Sequence, residues 1–317
     1  MLLNECKIYS DGTHYVAIIP TKRPKAFKLK RPEPEFLVDK DGTKYKYDSV
    51  LAKSDLRVST PSDEFKMLYE QTVGNNIKDR SSYIFDNIKN MFDDEDKAKD
   101  FVDAKLKNKK RAQEARSIRF RRKATLNTFS YFCTFTYDDN KCTFEEFNKE
   151  LRIFFNNMSC RHGWKVMMVP EFGKENNRFH FHALIAVPRT SSIPGSFAIS
   201  KRFNKKRGKM VDVCENSYFK ERFGNNDWQC LSTMPKELRR QKINYVIKYL
   251  TKTDSYAFYS RGIPTYIKSS LIRKELVLSF PENINKQILC DDFHVFKDGV
   301  DLGFFDDSLI KSLGAFG

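Results

Sequence analysis

No stretch of the 317 residues approaches the ~18 consecutive apolar side chains that a membrane span requires. The start, Met1-Leu2-Leu3-Asn4-Glu5, lacks the basic opening and apolar centre of a secretory leader, so a cytoplasmic protein with no membrane partner is expected. The seven cysteines are an odd, scattered set with no C-x-x-C pair, which argues against a disulfide framework or a cysteine-rich zinc module. There is no internal repeat and no G-x-x-x-x-G-K-[ST] phosphate loop, since Gly208-Lys209 runs into Met210. Any ATP-driven unwinding must then come from another protein.

What the chain has is positive charge and enough apolar material to fold. Its 57 Lys and Arg against 41 Asp and Glu give a net +16, and 40% hydrophobic residues are too many for a disordered chain. The length allows two domains, and the charge points to a polyanionic partner. Two hairpin cues open the chain, Asp11-Gly12 and Asp41-Gly42, each between β-type runs. Between them the Lys- and Pro-rich segment 20–34 suits an extended basic arm. Asp93 to Asp96 begin an expected helix, and residues 105–123 hold ten basic residues against the single Glu114. Such a helix can be a solvated charged face; alternatively Lys109, Lys110, Arg111, Arg116, Arg119, Arg121 and Arg122 neutralise phosphates. A second basic stretch containing Lys205, Lys206 and Arg207 reads as a loop bracketed by Gly195 and Gly208.

The chemistry-bearing pattern lies between Tyr131 and Lys252. Tyr131 to Tyr137 is β-branched and aromatic, as in a strand, and Thr143 to Cys160 reads as a helix with Thr143 as N-cap and Glu146 at the capping-box position. Lys165 to Glu171 and Arg178 to Val187 read as two further strands joined by a polar turn. Alternation along the second of these puts His180 and His182 on one face. Two imidazoles at i and i+2 can hold one divalent ion, and the turn can bring Glu171 alongside as an oxygen ligand. The bland reading is a half-exposed pair of histidines, and a structural zinc site joining Cys160 and His162 to His180 and His182 is a further alternative.

Residues 242–252 complete the pattern. At ~100° per residue, Ile243, Val246, Ile247 and Leu250 share one helical face while Tyr245, Tyr249, Lys248 and Lys252 share the opposite one. An amphipathic helix with snorkelling tyrosines would look the same.

Taken together, the strand Phe132-Cys133-Thr134-Phe135-Thr136, the run His180-Phe181-His182 and the run Tyr245-Val246-Ile247-Lys248-Tyr249 resemble the three motifs of the HUH endonucleases, in the same order across about 120 residues. Within that superfamily they resemble the two-tyrosine rolling-circle replication initiators of microviruses and plasmids. The resemblance implies an α+β fold, with a central antiparallel β-sheet of RRM-like HUH type flanked by helices and the metal on the sheet's open face. It divides the chain into an N-terminal β/helical accessory region over 1–123, an endonuclease domain over 124–275 and a tail over 276–317.

It further implies that Glu171, His180 and His182 hold Mg²⁺ or Mn²⁺, that Tyr245 or Tyr249 attacks DNA, and that Lys248 helps to activate the phenol. The expected partners are single-stranded or locally melted origin DNA and a host helicase and DNA polymerase. A related transposase or relaxase, or a non-catalytic nucleic-acid-binding RRM-like module, are the alternative functions. Base stacking fits the aromatic content, but 44 aromatic residues are chiefly core material in a chain of this size, and no stacking residue stands out.

Overall fold

The computed structural model describes residues 2–10, 12, 14–19, 36–38, 43–46, 60–72, 77–172, 179–204, 208–250, 257–272, 276–280, 283–289, 293–297 and 300–305. The chain is α+β and divides into two compact units, residues 23–115 and residues 1–22 with 116–317. The first 22 residues thus group with the later chain, which a sequence division at residue 123 does not anticipate.

At the N-terminus, β1 (Leu2–Ser10) and β2 (Tyr15–Ile18) form the hairpin expected at Asp11-Gly12, with Ser10 opposite Tyr15. Gly12 takes the left-handed backbone (φ 91°) that the tight connection needs.

In the 23–115 unit, β3 (Phe36–Val38) pairs with β4 (Lys44–Lys46), as the second hairpin cue requires; the turn itself and the basic arm over 20–34 lie outside the described residues. Helix α1 (Pro61–Gln71) starts at Thr60, whose hydroxyl accepts from the Asp63 N–H while Asp63 returns a bond to the cap. With α2 (Ile77–Ile88) and the start of α3 (Glu95–Leu126) it buries Phe65, Leu68, Ile84, Ile88 and Val102. As expected, the acidic run begins α3, where an Asp94 carboxylate oxygen accepts from the Asp96 N–H.

The larger unit is built on a five-stranded antiparallel sheet. Its strands are β5 (Tyr131–Thr136), β6 (Lys165–Phe172) and β7 (Phe179–Ala186), with β10 (Asn226–Cys230) and β11 (Phe258–Tyr259) at the edges. The order β10-β5-β7-β6-β11 puts the histidine strand in the centre. Helix α4 (Phe144–His162) has the expected Thr143/Glu146 capping box, runs two residues past Cys160, and stops at Gly163 in the left-handed region (φ 67°). It covers one sheet face, where Phe135, Phe147, Phe155, Phe181, Phe219 and Trp228 are buried together. Burial of this size is the principal source of the unit's stability.

Helix α6 (Lys236–Leu250) crosses the other face. Its Val246, Ile247 and Leu250 bury against Phe132, Met167, Val169 and Leu184, with Phe120 and Ala124 from the end of α3. The face that carries the histidines is therefore not the open one expected. It is half covered by the same helix that carries the tyrosines.

The basic stretch around residues 201–209 is not the expected loop either. Two strands, β8 (Phe197–Asn204) and β9 (Lys209–Asn216), form a two-stranded ribbon in register from Phe197 opposite Asn216 to Asn204 opposite Lys209. Alternation of Phe197, Ile199 and Phe203 with polar residues is the strand signal that its lysines obscured. Short helix α5 (Ser217–Arg222) returns the chain to β10 through Gly224 (φ 122°), where a Cβ would lie 2.6 Å from the Asp138 Cβ and 2.8 Å from the Thr136 carbonyl oxygen. A second five-stranded sheet, order β12-β1-β2-β14-β13, joins β12 (Ile267–Ile272), β13 (Leu276–Phe280) and β14 (Asn283–Leu289) to the N-terminal hairpin. The hairpin of β15 (His294–Lys297) and β16 (Val300–Phe304) follows, and Phe293 and Val295 bury against Cys6 and Ile8.

The ribbon root rests on a buried carboxylate. Glu215 is 5% exposed and accepts from Arg202 at 2.6 Å, Lys220 at 2.7 Å and Ser200 at 2.9 Å. Burial alone would raise its pKa, but the bonds from Lys220 and Ser200 and the two positive charges outweigh it and hold the carboxyl below the usual value. The folded pKa lies below the unfolded one of ~4.3, so the stabilisation is complete above about pH 4.3 and is lost as pH falls through the folded value. Glu215→Gln is expected to cost roughly 2 kcal/mol in urea unfolding at pH 7, with the gap from wild type closing in acid; a pH-independent gap would contradict the charge assignment.

Candidate active site

Register alone assembles the first half of the site. Pairing of β6 with β7 sets Glu171 opposite His180, and pairing of β5 with β7 sets Thr134 opposite His182. The turn 173–178 that joins β6 to β7 lies outside the described residues. His182 Nε2 is 2.6 Å from a Glu171 carboxylate oxygen and His180 Nε2 is 3.5 Å from the same oxygen. One ligand atom from each of the three residues lies within 4.8 Å of the others, and they are the one such group among the described residues. Cys160 and His162 are not part of it. Both are exposed at the end of α4, beside the start of β6, whereas Glu171 is near that strand's far end. The alternative zinc set is thereby ruled out.

Three features suit this cluster to a divalent cation. It combines two borderline nitrogen donors with one hard oxygen, a set that leaves coordination positions open. Among the described residues, His180 Nδ1 is buried without a hydrogen-bond partner. His182 Nδ1 meets the Thr134 hydroxyl at 3.1 Å, which fixes the ring and leaves Nε2 for the ligand position. The Phe132 ring stacks on the same imidazole at 5.9 Å and 12°. Thr134 acts on His182 directly across the strand pair and Phe132 diagonally, since its own partner is Leu184, and their alternation with Cys133 and Phe135 in β5 was the available sequence signal.

Helix α6 supplies the second half. Tyr245 and Tyr249 flank its buried arc and reach the same sheet face, their rings 5.0 and 5.2 Å from that of His182. The Tyr249 and Tyr245 hydroxyls are hydrogen-bonded to each other at 3.0 Å, and the Glu171 carboxylate accepts from Tyr249. Burial raises both phenol pKa values; the Glu171 charge adds to this at each, and the Tyr245 contact adds to it at Tyr249. For Glu171 itself, burial is outweighed by the His182 hydrogen bond and charge, by Tyr249 and by His180, so its carboxyl sits below the usual value. Burial and the neighbouring His182 lower the His180 pKa, against the pull of Glu171. At neutral pH the ring is therefore the neutral ligand form.

The remaining sequence candidates are spread more widely. Lys248 is exposed on α6, and Lys252 lies outside the described residues. On α3, Lys109, Lys110, Arg111, Arg119 and Arg121 are exposed, while Arg116 and Arg122 are partly buried. Arg122 lies over the Tyr9 ring at 4.0 Å and Lys109 over Tyr69 at 4.5 Å, so part of this charge serves the fold. Lys205, Lys206 and Arg207 are outside the described residues.

The fold and site thus define an α+β sheet protein with a two-histidine, one-carboxylate cluster that could hold a divalent metal. Residues 130–254 match the family model described as replication-associated protein ORF2, a span that contains every residue of the cluster and both tyrosines. This match supports a replication-initiator family. No curated protein and no solved structure matches the chain. Among the described residues, no helix is long and apolar enough to cross a membrane.

Removal of the Thr134 hydroxyl should loosen the His182 ring without changing a ligand. Thr134→Val is expected to weaken Mn²⁺ binding by about 10- to 100-fold in titration calorimetry. Affinity equal to wild type would remove Thr134 from the site.

Proposed function

We propose that the chain is an HUH endonuclease of the two-tyrosine type, a rolling-circle replication initiator that nicks single-stranded origin DNA and later rejoins it. The observation that carries this reading is the placement of both α6 phenols on the sheet face of Glu171, His180 and His182, with Tyr249 bonded to Glu171. The match to a replication-associated family over the same span supports it. A structural role for the tyrosines explains their partial burial but not their convergence on a ligand cluster.

Glu171, His180 and His182 would hold Mg²⁺ or Mn²⁺, which supplies charge neutralisation and polarisation at the scissile phosphate. The phenol oxygen of Tyr245 or Tyr249 attacks phosphorus as the bond to the 3′ oxygen breaks; the phenol proton leaves to solvent and the 3′ oxygen takes one up. A 5′-phosphotyrosine link and a free 3′-OH result, the latter a primer for a host polymerase. The bond energy is retained, so rejoining needs no ATP, and the second phenol allows a second cut while the first end is still attached. Raised phenol pKa values mean that neither tyrosine is ionised in the metal-free arrangement. Added positive charge is needed, and Lys248 is the candidate on the same helix.

The nicking chemistry is assigned to residues 124–275 of a cytoplasmic protein. The exposed cations of α3 and the ribbon would meet phosphates without sequence preference. With no phosphate loop in the sequence, strand opening is left to a host helicase.

The test is incubation with labelled single-stranded origin DNA and Mn²⁺. A protein–DNA adduct that survives SDS is expected from wild type and not from Tyr245→Phe/Tyr249→Phe. His180→Ala should lower cleavage by at least 100-fold while salt-sensitive DNA binding stays near wild type. Normal binding with no adduct under any metal or pH condition would leave a silent binding module instead.

A further inference from the structure

The β8–β9 ribbon exposes an apolar face that the fold does not use. Its register puts Phe197, Ile199 and Phe203 on one side, with Met210 directly opposite Phe203. Their exposures are 43% for Phe197, 77% for Ile199, 57% for Phe203 and 53% for Met210, four of the twelve exposed large hydrophobic side chains among the described residues. Such a concentration on a ribbon of two eight-residue strands signals a contact surface.

The ribbon is not loosely attached. Phe197 packs edge-on against Trp228 of β10 at 5.6 Å, and the buried Glu215 network ties its polar side to α5.

Charge selects the occupant. The described ribbon carries Lys201, Arg202 and Lys209, and the sequence between its strands adds Lys205, Lys206 and Arg207, which lie outside the described residues, against Asp212 and Glu215. Protein interfaces are depleted in lysine, whereas surfaces for single-stranded nucleic acid combine cations with flat apolar side chains on which bases stack. We infer that this face is a stacking platform for unpaired DNA bases, centred on Phe203 and Met210, with Lys201 and Lys209 on the phosphates. The inference rests on the proposed DNA substrate and assigns part of its binding to residues other than the histidines and tyrosines.

The probe is a labelled oligothymidylate bound to the full chain and followed by fluorescence anisotropy over a range of salt. Ile199→Ser/Phe203→Ser is expected to lower affinity by about tenfold at every salt concentration. The slope against log salt should stay unchanged, since no phosphate contact is lost. Phe203→Tyr should keep wild-type affinity. Because the replaced side chains are exposed, the melting midpoint should not move. Wild-type affinity in the double variant would overturn the platform, and so would a tenfold loss in Phe203→Tyr. A wild-type dimer in sedimentation that the double variant makes monomeric would also overturn it, by assigning the face to a second copy of the chain. If adducts form but the double variant binds normally, only the platform fails. If the double variant loses affinity but wild type makes no adduct, only the nicking reading fails.

Discussion

The site depends on the register between β6 and β7. Glu171 faces His180 because these two strands pair from Lys165 opposite Ala186 to Phe172 opposite Phe179. Side chains alternate with a period of two, so a slip of one residue would send both imidazoles into the aromatic layer and leave Glu171 alone on the other face. The structure guards against this with volume. Phe179 and Phe181 interleave with His180 and His182, pack edge to face at 4.9 Å and are buried under α4. The same alternation that seats the phenylalanines thus aims the histidines. Central placement of β7 adds a second constraint, since Thr134 on β5 also meets His182.

A half-covered face suits this chemistry better than an open or a sealed one. Val246, Ile247 and Leu250 anchor α6 on Phe132, Met167 and Leu184, which fixes where the next residues around the helix point. Tyr245 and Tyr249 flank that arc, and Tyr245 remains 41% exposed. Burial raises the phenol pKa values, whereas at Glu171 the hydrogen bonds of His182 and Tyr249 and the charges of His182 and His180 outweigh burial and hold the carboxyl below its usual value. The metal-free site therefore combines a carboxylate, a neutral imidazole at His180 and protonated phenols. Further positive charge at the point where the phenols converge is what a bound cation would contribute.

What the sequence revealed follows the range of the interaction concerned. The alternation of His180 and His182, the Thr143 capping box and the turns of α6 are local periodicities, and each is present in the fold. The role of Thr134 is not local, because the hydroxyl acts through a residue 48 positions away. The pairing of β1 with β12, Ile8 opposite Ile267, has no local signature at all, and it ties the first residues to the later chain. The ribbon was obscured for another reason. Lysines and a glycine dominate its composition, and composition outweighed the alternation that defines a strand. The open sheet face expected from family resemblance failed because α6, the helix that carries Tyr245 and Tyr249, also covers that face.

The aromatic residues also divide by face. Phe135, Phe147, Phe155, Phe179, Phe181, Phe219 and Trp228 form one contiguous layer behind the sheet, where shape and volume fix the strands. On the histidine side, Phe132 stacks on His182 and lies edge-on to Tyr245, so here an aromatic ring orients a ligand and a phenol at once. Cation placement follows from this arrangement: Lys242, one turn before Tyr245, lies over the same Phe132 ring at 5.2 Å, bringing positive charge to the side of the site where the phenols stand. Because β5 carries Phe132 on the site face and Cys133 and Phe135 on the back, a single strand links the aromatic layer to the candidate site.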